Sequence, residues 1–149
     1  MKEQELHNLF ESVYELLKAL ISIPSFSKSE DKTADCIEKF FATYNIPTHR
    51  EMNNVWAFNK FYDASKPTIL LNSHHDTVKP NASYTLNPFE PIEKDGKLYG
   101  LGSNDAGGCL VSLIATFIHF YDKENLNYNL VLAATAEEEI SGVNGIESI

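Results

Sequence analysis

The sequence is poor in cysteine, in basic residues and in long apolar runs, and each shortage narrows what the protein can be. Only two cysteines occur in 149 residues, Cys36 and Cys109, and they form no Cys-x-x-Cys pair. We therefore interpret both as core residues of a protein in a reducing compartment, with the cytoplasm as the expected location.

Positive charge is scarce as well. Lysine and arginine number 12 against 21 acidic residues, which gives a net charge of −9, and the basic residues are scattered. Nucleic acids and anionic membranes both need a basic patch, so neither partner is expected. No apolar run reaches transmembrane length, and the N-terminal segment that begins with Met1 and Lys2 lacks the apolar centre of a signal peptide.

The composition is that of a folded domain, with 43% hydrophobic and 11% aromatic residues. Apolar residues recur at helical spacing in three segments, which predicts three helices. A capping box formed by Ser27 and Glu30 is expected to start the second helix. The helices are predicted at about residues 6–21, from Ser27 with a buried face between Ala34 and Tyr44, and at 106–121.

Short apolar runs between these helices predict strands. The Asn53-Asn54 turn indicates one hairpin, and Asp95-Gly96 indicates another. Thr68–Asn72 is almost continuously apolar, which is typical of a strand covered on both faces. Asn129–Thr135 predicts the last strand. Helices that alternate with strands indicate an α/β domain, with a mixed central sheet flanked by helices in a three-layer arrangement.

A further helix is predicted from Asn144, but the sequence stops at Ile149, where that helix should gain length. We therefore expect residues 1–149 to be the N-terminal part of a longer protein.

Acidic residues and a histidine follow the predicted strands. His74 and Asp76 lie two residues apart, so both side chains point the same way on an extended backbone. Such a carboxylate can fix the tautomer of a histidine that binds a metal ion. His75 points the other way and is interpreted as a structural or surface residue.

Asp105 lies just before the third predicted helix and allows several interpretations. It could cap the helix, where the helix dipole stabilises a carboxylate, or it could bridge two metal ions while Gly100 and Gly102 let the backbone approach the site. A dinucleotide-binding loop is a rival interpretation. Asp105 argues against it, because a carboxylate would stand where that fingerprint has its third glycine.

Glu137, Glu138 and Glu139 directly follow the last predicted strand. Such a run is usually a solvated loop, but three carboxylates at a buried strand end repel one another unless a cation offsets them. The steps from His74 to Asp105 and from Asp105 to Glu139 are each roughly 30 residues, the length of a strand-plus-helix unit. A shared metal site is therefore predicted, with Zn²⁺ favoured and Co²⁺ or Mn²⁺ as substitutes.

Four segments in order resemble the dinuclear zinc aminoacylase and carboxypeptidase-G-like family, which includes acetylornithine deacetylase and succinyl-diaminopimelate desuccinylase. They are Leu-Leu-Asn-Ser-His-His-Asp-Thr-Val, Asn-Pro-Phe-Glu-Pro, Asp-Gly-Lys-Leu-Tyr-Gly-Leu-Gly-Ser-Asn-Asp and Thr-Ala-Glu-Glu-Glu, within residues 68–145. The resemblance implies hydrolysis of the amide bond of an N-acyl amino acid or a small peptide.

The resemblance also implies a role for each site residue. His74 and Glu139 would each bind one of two zinc ions, and Asp105 would bridge both. Asp76 would support His74, and Glu138 would be the general base. A non-proline cis peptide is expected after Asp105.

Several positions depart from the family pattern, including Leu101, Gly107 and Glu137. None of them is an expected metal ligand, so they bear on which subgroup of the family the chain resembles more than on the expected hydrolysis. The Gly-Leu-Gly-Ser-Asn-Asp-Ala-Gly segment most resembles acetylornithine-deacetylase-like enzymes, which would imply arginine biosynthesis. A non-catalytic metal-binding or scaffold relative is the alternative, although the intact Glu138 argues against it.

The family's ligand set also includes an acid and a histidine further along the chain. Its lid and dimerisation domain and its C-terminal half would also lie beyond Ile149. We therefore expect the complete protein to be a homodimer, and these 149 residues to bind zinc weakly without turnover.

Overall fold

The computed structural model describes residues 3–149. The predicted polar N-terminal segment begins with Met1 and Lys2, which lie outside the described residues. The helices are α1 (Glu3–Ile21), α2 (Asp31–Thr43) and α3 (Gly108–Phe120). The strands are β1 (His49–Glu51), β2 (Asn54–Phe58), β3 (Thr68–His74), β4 (Ile92–Lys94), β5 (Lys97–Tyr99) and β6 (Asn129–Thr135). No helix within residues 3–149 combines the length and the apolar character needed to cross a membrane.

Four strands form a mixed sheet in the order β1-β2-β6-β3. β2 pairs with β1 and β6 in antiparallel fashion, whereas β3 and β6 run parallel. β4 and β5 form a separate hairpin, and its turn residues Asp95 and Gly96 both have positive φ, as a tight two-residue turn requires. The predicted mixed α/β class is confirmed.

The core lies between one face of the sheet and the three helices. β2 and β6 contribute alternate residues to it, because side chains on a strand alternate between the two faces. These strand residues are Val55, Ala57, Leu130, Leu132 and Ala134. The helical residues that meet them are Leu9, Val13, Leu16, Leu17, Leu20, Ile21, Ala34, Ile37, Phe41, Leu110, Val111, Ile114 and Phe117. The burial of this apolar surface is the main favourable contribution to folding.

The predicted capping box is absent. Glu30 occupies the N-cap position of α2, but no side chain caps that helix. The Ser27 hydroxyl instead donates a hydrogen bond to Asp76, and the Glu30 side chain is fully buried. Both side chains form hydrogen bonds with residues distant in the sequence, Ser27 with Asp76 and Glu30 with Glu137, and neither caps the helix. A local sequence pattern cannot reveal such contacts.

Three further expectations need correction. Within the described residues β3 is an edge strand, and Ile69 and Leu70 are exposed, so the strand is not covered on both faces. Cys109 is exposed, and only Cys36 is partly buried. In place of the helix predicted from Asn144 there is a short 3-10 turn, Ile146–Ser148.

Phe117 tests the packing of this core. It is fully buried and meets Phe41 edge to face with ring centroids 6.1 Å apart. Replacing Phe117 with alanine should lower the free energy of unfolding by about 3–5 kcal/mol, because the substitution leaves a cavity among the three helices. Urea unfolding followed by circular dichroism measures this change.

Phe10 provides the matched control, since it is 57% exposed on α1. Phe10→Ala should change the free energy of unfolding by less than about 0.5 kcal/mol. Equal losses from Phe117→Ala and Phe10→Ala would show that the core described above is wrong.

Candidate metal centre

The parallel pairing of β3 and β6 builds the site. In this register His74, the last residue of β3, lies opposite Thr135, the last residue of β6. The His75 N–H continues the ladder by donating to the Thr135 carbonyl oxygen, 3.0 Å away. The carboxyl ends of parallel strands meet at one edge of a sheet, so the segment Glu137–Glu139 emerges beside His74.

Asp105 reaches the same edge from the turn before α3. Gly102 has φ +77°, a left-handed conformation that favours glycine, and its carbonyl oxygen accepts a hydrogen bond from the Gly107 N–H. Asp105 and Ala106 have non-helical backbone angles, and α3 begins only at Gly108. Asp105 is therefore not a helix cap. Its peptide bond to Ala106 is cis, as the sequence resemblance predicted.

Three side chains converge at this edge. Ligand atoms of His74, Asp105 and Glu139 all lie within 4.8 Å of one another. The His74 Nε2 atom is 3.2 Å from Asp105 Oδ1 and 3.5 Å from Glu138 Oε2. The structure thus brings together the three residues that the sequence proposed as metal ligands, with the proposed base beside them.

The two nitrogens of His74 have different surroundings. Nδ1 faces Asp76, 3.1 Å from its carbonyl oxygen and 3.3 Å from Oδ1, so the Nδ1 proton is directed there. Nε2 is left to face the acidic cluster. The hydrogen bond to Asp76 is the main cause that raises the pKa of His74 to about 9, against the opposing effect of burial. A cation bound among these side chains would replace the Nε2 proton.

Asp76 is fully buried and accepts several hydrogen bonds. The Ser27 hydroxyl donates to Oδ2 at 2.7 Å, and the backbone N–H groups of Glu138 and Glu139 donate to Oδ1 and Oδ2, both at 3.1 Å. Burial raises the pKa of Asp76, but the hydrogen bonds from His74, Ser27 and these N–H groups outweigh it, so the pKa lies below its usual value.

The three adjacent glutamates occupy different environments. Glu137 is buried, and its Oε1 accepts a hydrogen bond from Asn144 at 3.0 Å, whereas Glu138 is exposed and Glu139 is half-buried. The pKa of Glu139 is raised, first by burial and then by the nearby Asp105 carboxylate. This crowding of like charge is the condition that a bound cation relieves.

His75 is separate from this cluster. It is buried, Nε2 lies 2.9 Å from the Asn53 carbonyl oxygen, and Nδ1 lies 2.8 Å from the Thr33 hydroxyl. The carbonyl can only accept, so Nε2 carries the proton, while Nδ1 faces the Thr33 hydroxyl. Burial lowers the pKa of His75, which agrees with a neutral ring. Of the two interpretations of His75 from sequence, the structural one is correct.

An open depression of about 300 Å³ leads to the cluster. Asp105 and Glu139 form part of its wall, and Thr77, Val78 and Tyr84 form another part. A small molecule that enters this depression would meet the carboxylates directly.

Sequence reasoning missed Ser27 and Glu30 as parts of this region. Their only local signal was the capping spacing, whereas the contacts that bring them to this region, from Ser27 to Asp76 and between Glu30 and Glu137, join residues distant in sequence. No pattern within either segment indicates such pairs.

The chain is similar to proteins of one known family. Residues 70–149 match the model of peptidase family M20/M25/M40. A succinyl-diaminopimelate desuccinylase from Buchnera aphidicola is 32% identical over 141 residues, which cover 90% of this chain and 36% of the relative. An acetylornithine deacetylase from Proteus mirabilis is 31% identical over 139 residues, which cover 85% of this chain and 36% of the relative.

The fold agrees with solved structures of the same family. An M20 family metallo-carboxypeptidase from Sulfolobus solfataricus superposes with a TM-score of 0.70 and 25% identity, over 94% of this chain and 32% of that one. The chain thus spans about a third of the length of the relatives it matches. With the family model covering more than half of its residues, this chain belongs to peptidase family M20/M25/M40.

Proposed function

We propose that the protein to which this chain contributes is a metal-dependent hydrolase that cleaves the amide bond of an N-acyl amino acid or a small peptide. The observation that carries the proposal is the convergence of His74, Asp105 and Glu139 from three separate elements, with ligand atoms within 4.8 Å of one another. Glu138 stands beside them with its carboxylate near His74 Nε2.

The residues present fit zinc. One imidazole nitrogen and two carboxylate oxygens, with no thiolate, form a donor set typical of catalytic zinc sites, and Co²⁺ or Mn²⁺ can replace zinc in such sets. His74 would bind through Nε2, because Nδ1 is directed to Asp76. Zinc held by His74, Asp105 and Glu139 would polarise the substrate carbonyl and lower the pKa of the attacking water.

Residues of this chain would transfer the proton from the attacking water to the leaving amine. Glu138 is exposed beside the cluster, so its carboxylate can accept the proton of the attacking water. The same carboxyl group can then donate that proton to the amine nitrogen that leaves. Asp76 keeps the His74 ring oriented and holds the backbone of Glu138 and Glu139, which fixes the base against the site.

The substrate proposal rests on the depression and on the relatives. The opening of about 300 Å³ suits a small molecule better than a folded protein. The relatives are named as a desuccinylase, a deacetylase and a carboxypeptidase, at closely similar identities to this chain. An acetylornithine-like substrate is therefore one member of a wider class, and a role in arginine biosynthesis remains a prediction.

A non-catalytic relative that only binds metal is the other candidate function. That protein would have no need for an additional carboxylate directed at the cluster. The Glu138 side chain is 59% exposed and lies 3.5 Å from His74 Nε2, which favours the hydrolase.

Adjacent glutamates allow a paired test of these roles in the complete enzyme. Glu138→Gln should lower amide hydrolysis by about a hundredfold or more while metal content stays unchanged, because the base is lost and the ligands remain. Glu139→Gln should instead weaken zinc affinity by more than about tenfold. Hydrolysis of N-acetylornithine and N-succinyl-diaminopimelate is measured together with bound metal.

The two variants serve as controls for each other, since each removes one negative charge from the same segment. Full activity in a zinc-loaded Glu138→Gln enzyme would show that the base is assigned wrongly.

The 149 residues alone should bind Zn²⁺ weakly and should not hydrolyse amides, because the resemblance places further ligands outside this sequence. Calorimetric titration with Zn²⁺ measures the binding, and an assay with acylated amino acids measures turnover. His74→Ala should abolish the binding, whereas His119→Ala, a histidine remote from the cluster, should preserve it. Turnover that a chelator does not inhibit would contradict the mechanism.

A further inference from the structure

Glu30 is a fully buried carboxylate outside the ligand cluster. Its Oε1 accepts hydrogen bonds from the backbone N–H of Lys28 at 2.8 Å and from that of Glu137 at 3.2 Å. Its Oε2 accepts from the side-chain amide of Asn53 at 2.9 Å. All three partners are N–H donors, so the Glu30 carboxyl group acts only as a hydrogen-bond acceptor. Hydrogen bonds of this kind offset the cost of burying a carboxylate.

The contact with Glu137 extends a pattern already seen at Asp76. Glu137, Glu138 and Glu139 are consecutive, and each backbone N–H donates to a buried carboxylate. Glu30 receives the first of these hydrogen bonds, and Asp76 receives the second and third. Two buried acids thus hold the whole segment that carries the proposed base and one proposed ligand.

This segment needs such support, because β6 ends at Thr135 and the ladder offers it no further partner. Glu137 has φ +54°, a left-handed conformation, so the chain turns sharply there. The Glu137 side chain packs against Gly142. A Cβ atom at position 142 would clash with it, so the glycine there leaves space for the Glu137 side chain. A buried N–H at such a turn must find an acceptor or lose stability.

Capping of α2 does not account for Glu30, because no side chain caps this helix. The hydrogen bond that the Glu137 N–H donates to Glu30 joins residues 107 positions apart. It connects the start of α2 to the turn after β6. Its effect is therefore on the position of this turn relative to the rest of the fold.

We propose that Glu30 is a positioning residue for the metal centre. By holding the Glu137 N–H it fixes the turn from which Glu138 and Glu139 reach toward His74. The inference rests on the proposed function, since it assigns Glu30 a role through Glu139 at the same centre.

The test uses Co²⁺ as the probe, because its visible absorption reports both affinity and coordination geometry. Glu30→Asp keeps the charge but shortens the side chain by one methylene, which withdraws the carboxylate from Glu137. Co²⁺ affinity should fall by about tenfold or more, the loss expected when support for a ligand is removed, and the absorption band should change. Hydrogen exchange of the Glu137 amide should become faster.

Glu30→Gln is the conservative variant. It keeps the length and one acceptor oxygen, so it should recover most of the affinity and lie within about threefold of the unsubstituted chain. Asn129→Ser is the matched structural control. Asn129 is also fully buried and multiply hydrogen-bonded, but it lies at the opposite end of β6. That variant should lose stability while its Co²⁺ affinity stays within twofold.

All variants are compared at a temperature at which circular dichroism shows them folded. The outcomes then distinguish a positioning role of Glu30 from a purely structural one. Unchanged affinity and absorption in Glu30→Asp would overturn the role of Glu30, and so would equal losses in Glu30→Asp and Asn129→Ser. If Glu30→Asp does not fold, Glu30→Gln decides, because a loss of Co²⁺ affinity by about tenfold or more without faster exchange of the Glu137 amide would show that the affinity does not depend on this hydrogen bond and would overturn the role. Absence of Co²⁺ binding by the unsubstituted chain would instead refute the metal centre itself.

Discussion

The Asp76 carboxylate joins the two strand ends on which the candidate metal centre is built. It accepts from His74 at the end of β3 and from the backbone of Glu138 and Glu139 beyond the end of β6. Ser27, before α2, donates to it as well. One buried group therefore sets the orientation of the proposed histidine ligand and the path of the segment that carries the proposed base. Without this junction, parallel pairing would bring the two strands together but would not aim their side chains.

The site concentrates negative charge where the fold offers little to neutralise it. His74 lies among these acids, and its hydrogen bond to Asp76 is the main cause of its raised pKa. Asp105 lies close to Glu139, and the pKa of Glu139 is raised, first by burial and then by this neighbouring carboxylate. Such an arrangement is costly for a protein that binds nothing there, because like charges at short range destabilise the folded state. A divalent cation removes that cost, which links the electrostatics of the centre to its proposed function.

Much of this structure could be predicted from the sequence, and the failures have a common cause. α1 and β6 follow directly from their apolar patterns, and the Asp95-Gly96 turn follows from the φ > 0 conformation it needs. The approach of Glu139 to His74 could also be predicted, because parallel strands bring their carboxyl ends to one edge of a sheet. Asp105 reaches that edge from the turn before α3 and not from a strand of this sheet. Ser27 and Glu30 were misread as a capping box, because their partners lie far away in the sequence. The exposure of Ile69 and Leu70 was missed for a similar reason, since a strand's apolar run does not reveal which neighbours it has.

The central claim is that His74, Asp105 and Glu139 form one metal centre, and crystallography with anomalous scattering tests it most directly. Crystals of the chain soaked in Zn²⁺ would be measured on both sides of the zinc absorption edge. The account predicts anomalous density at this cluster, with His74 Nε2, a carboxylate oxygen of Asp105 and a carboxylate oxygen of Glu139 each about 2.0–2.2 Å from a zinc ion. A peak bound to other residues, or none at these three, would contradict it.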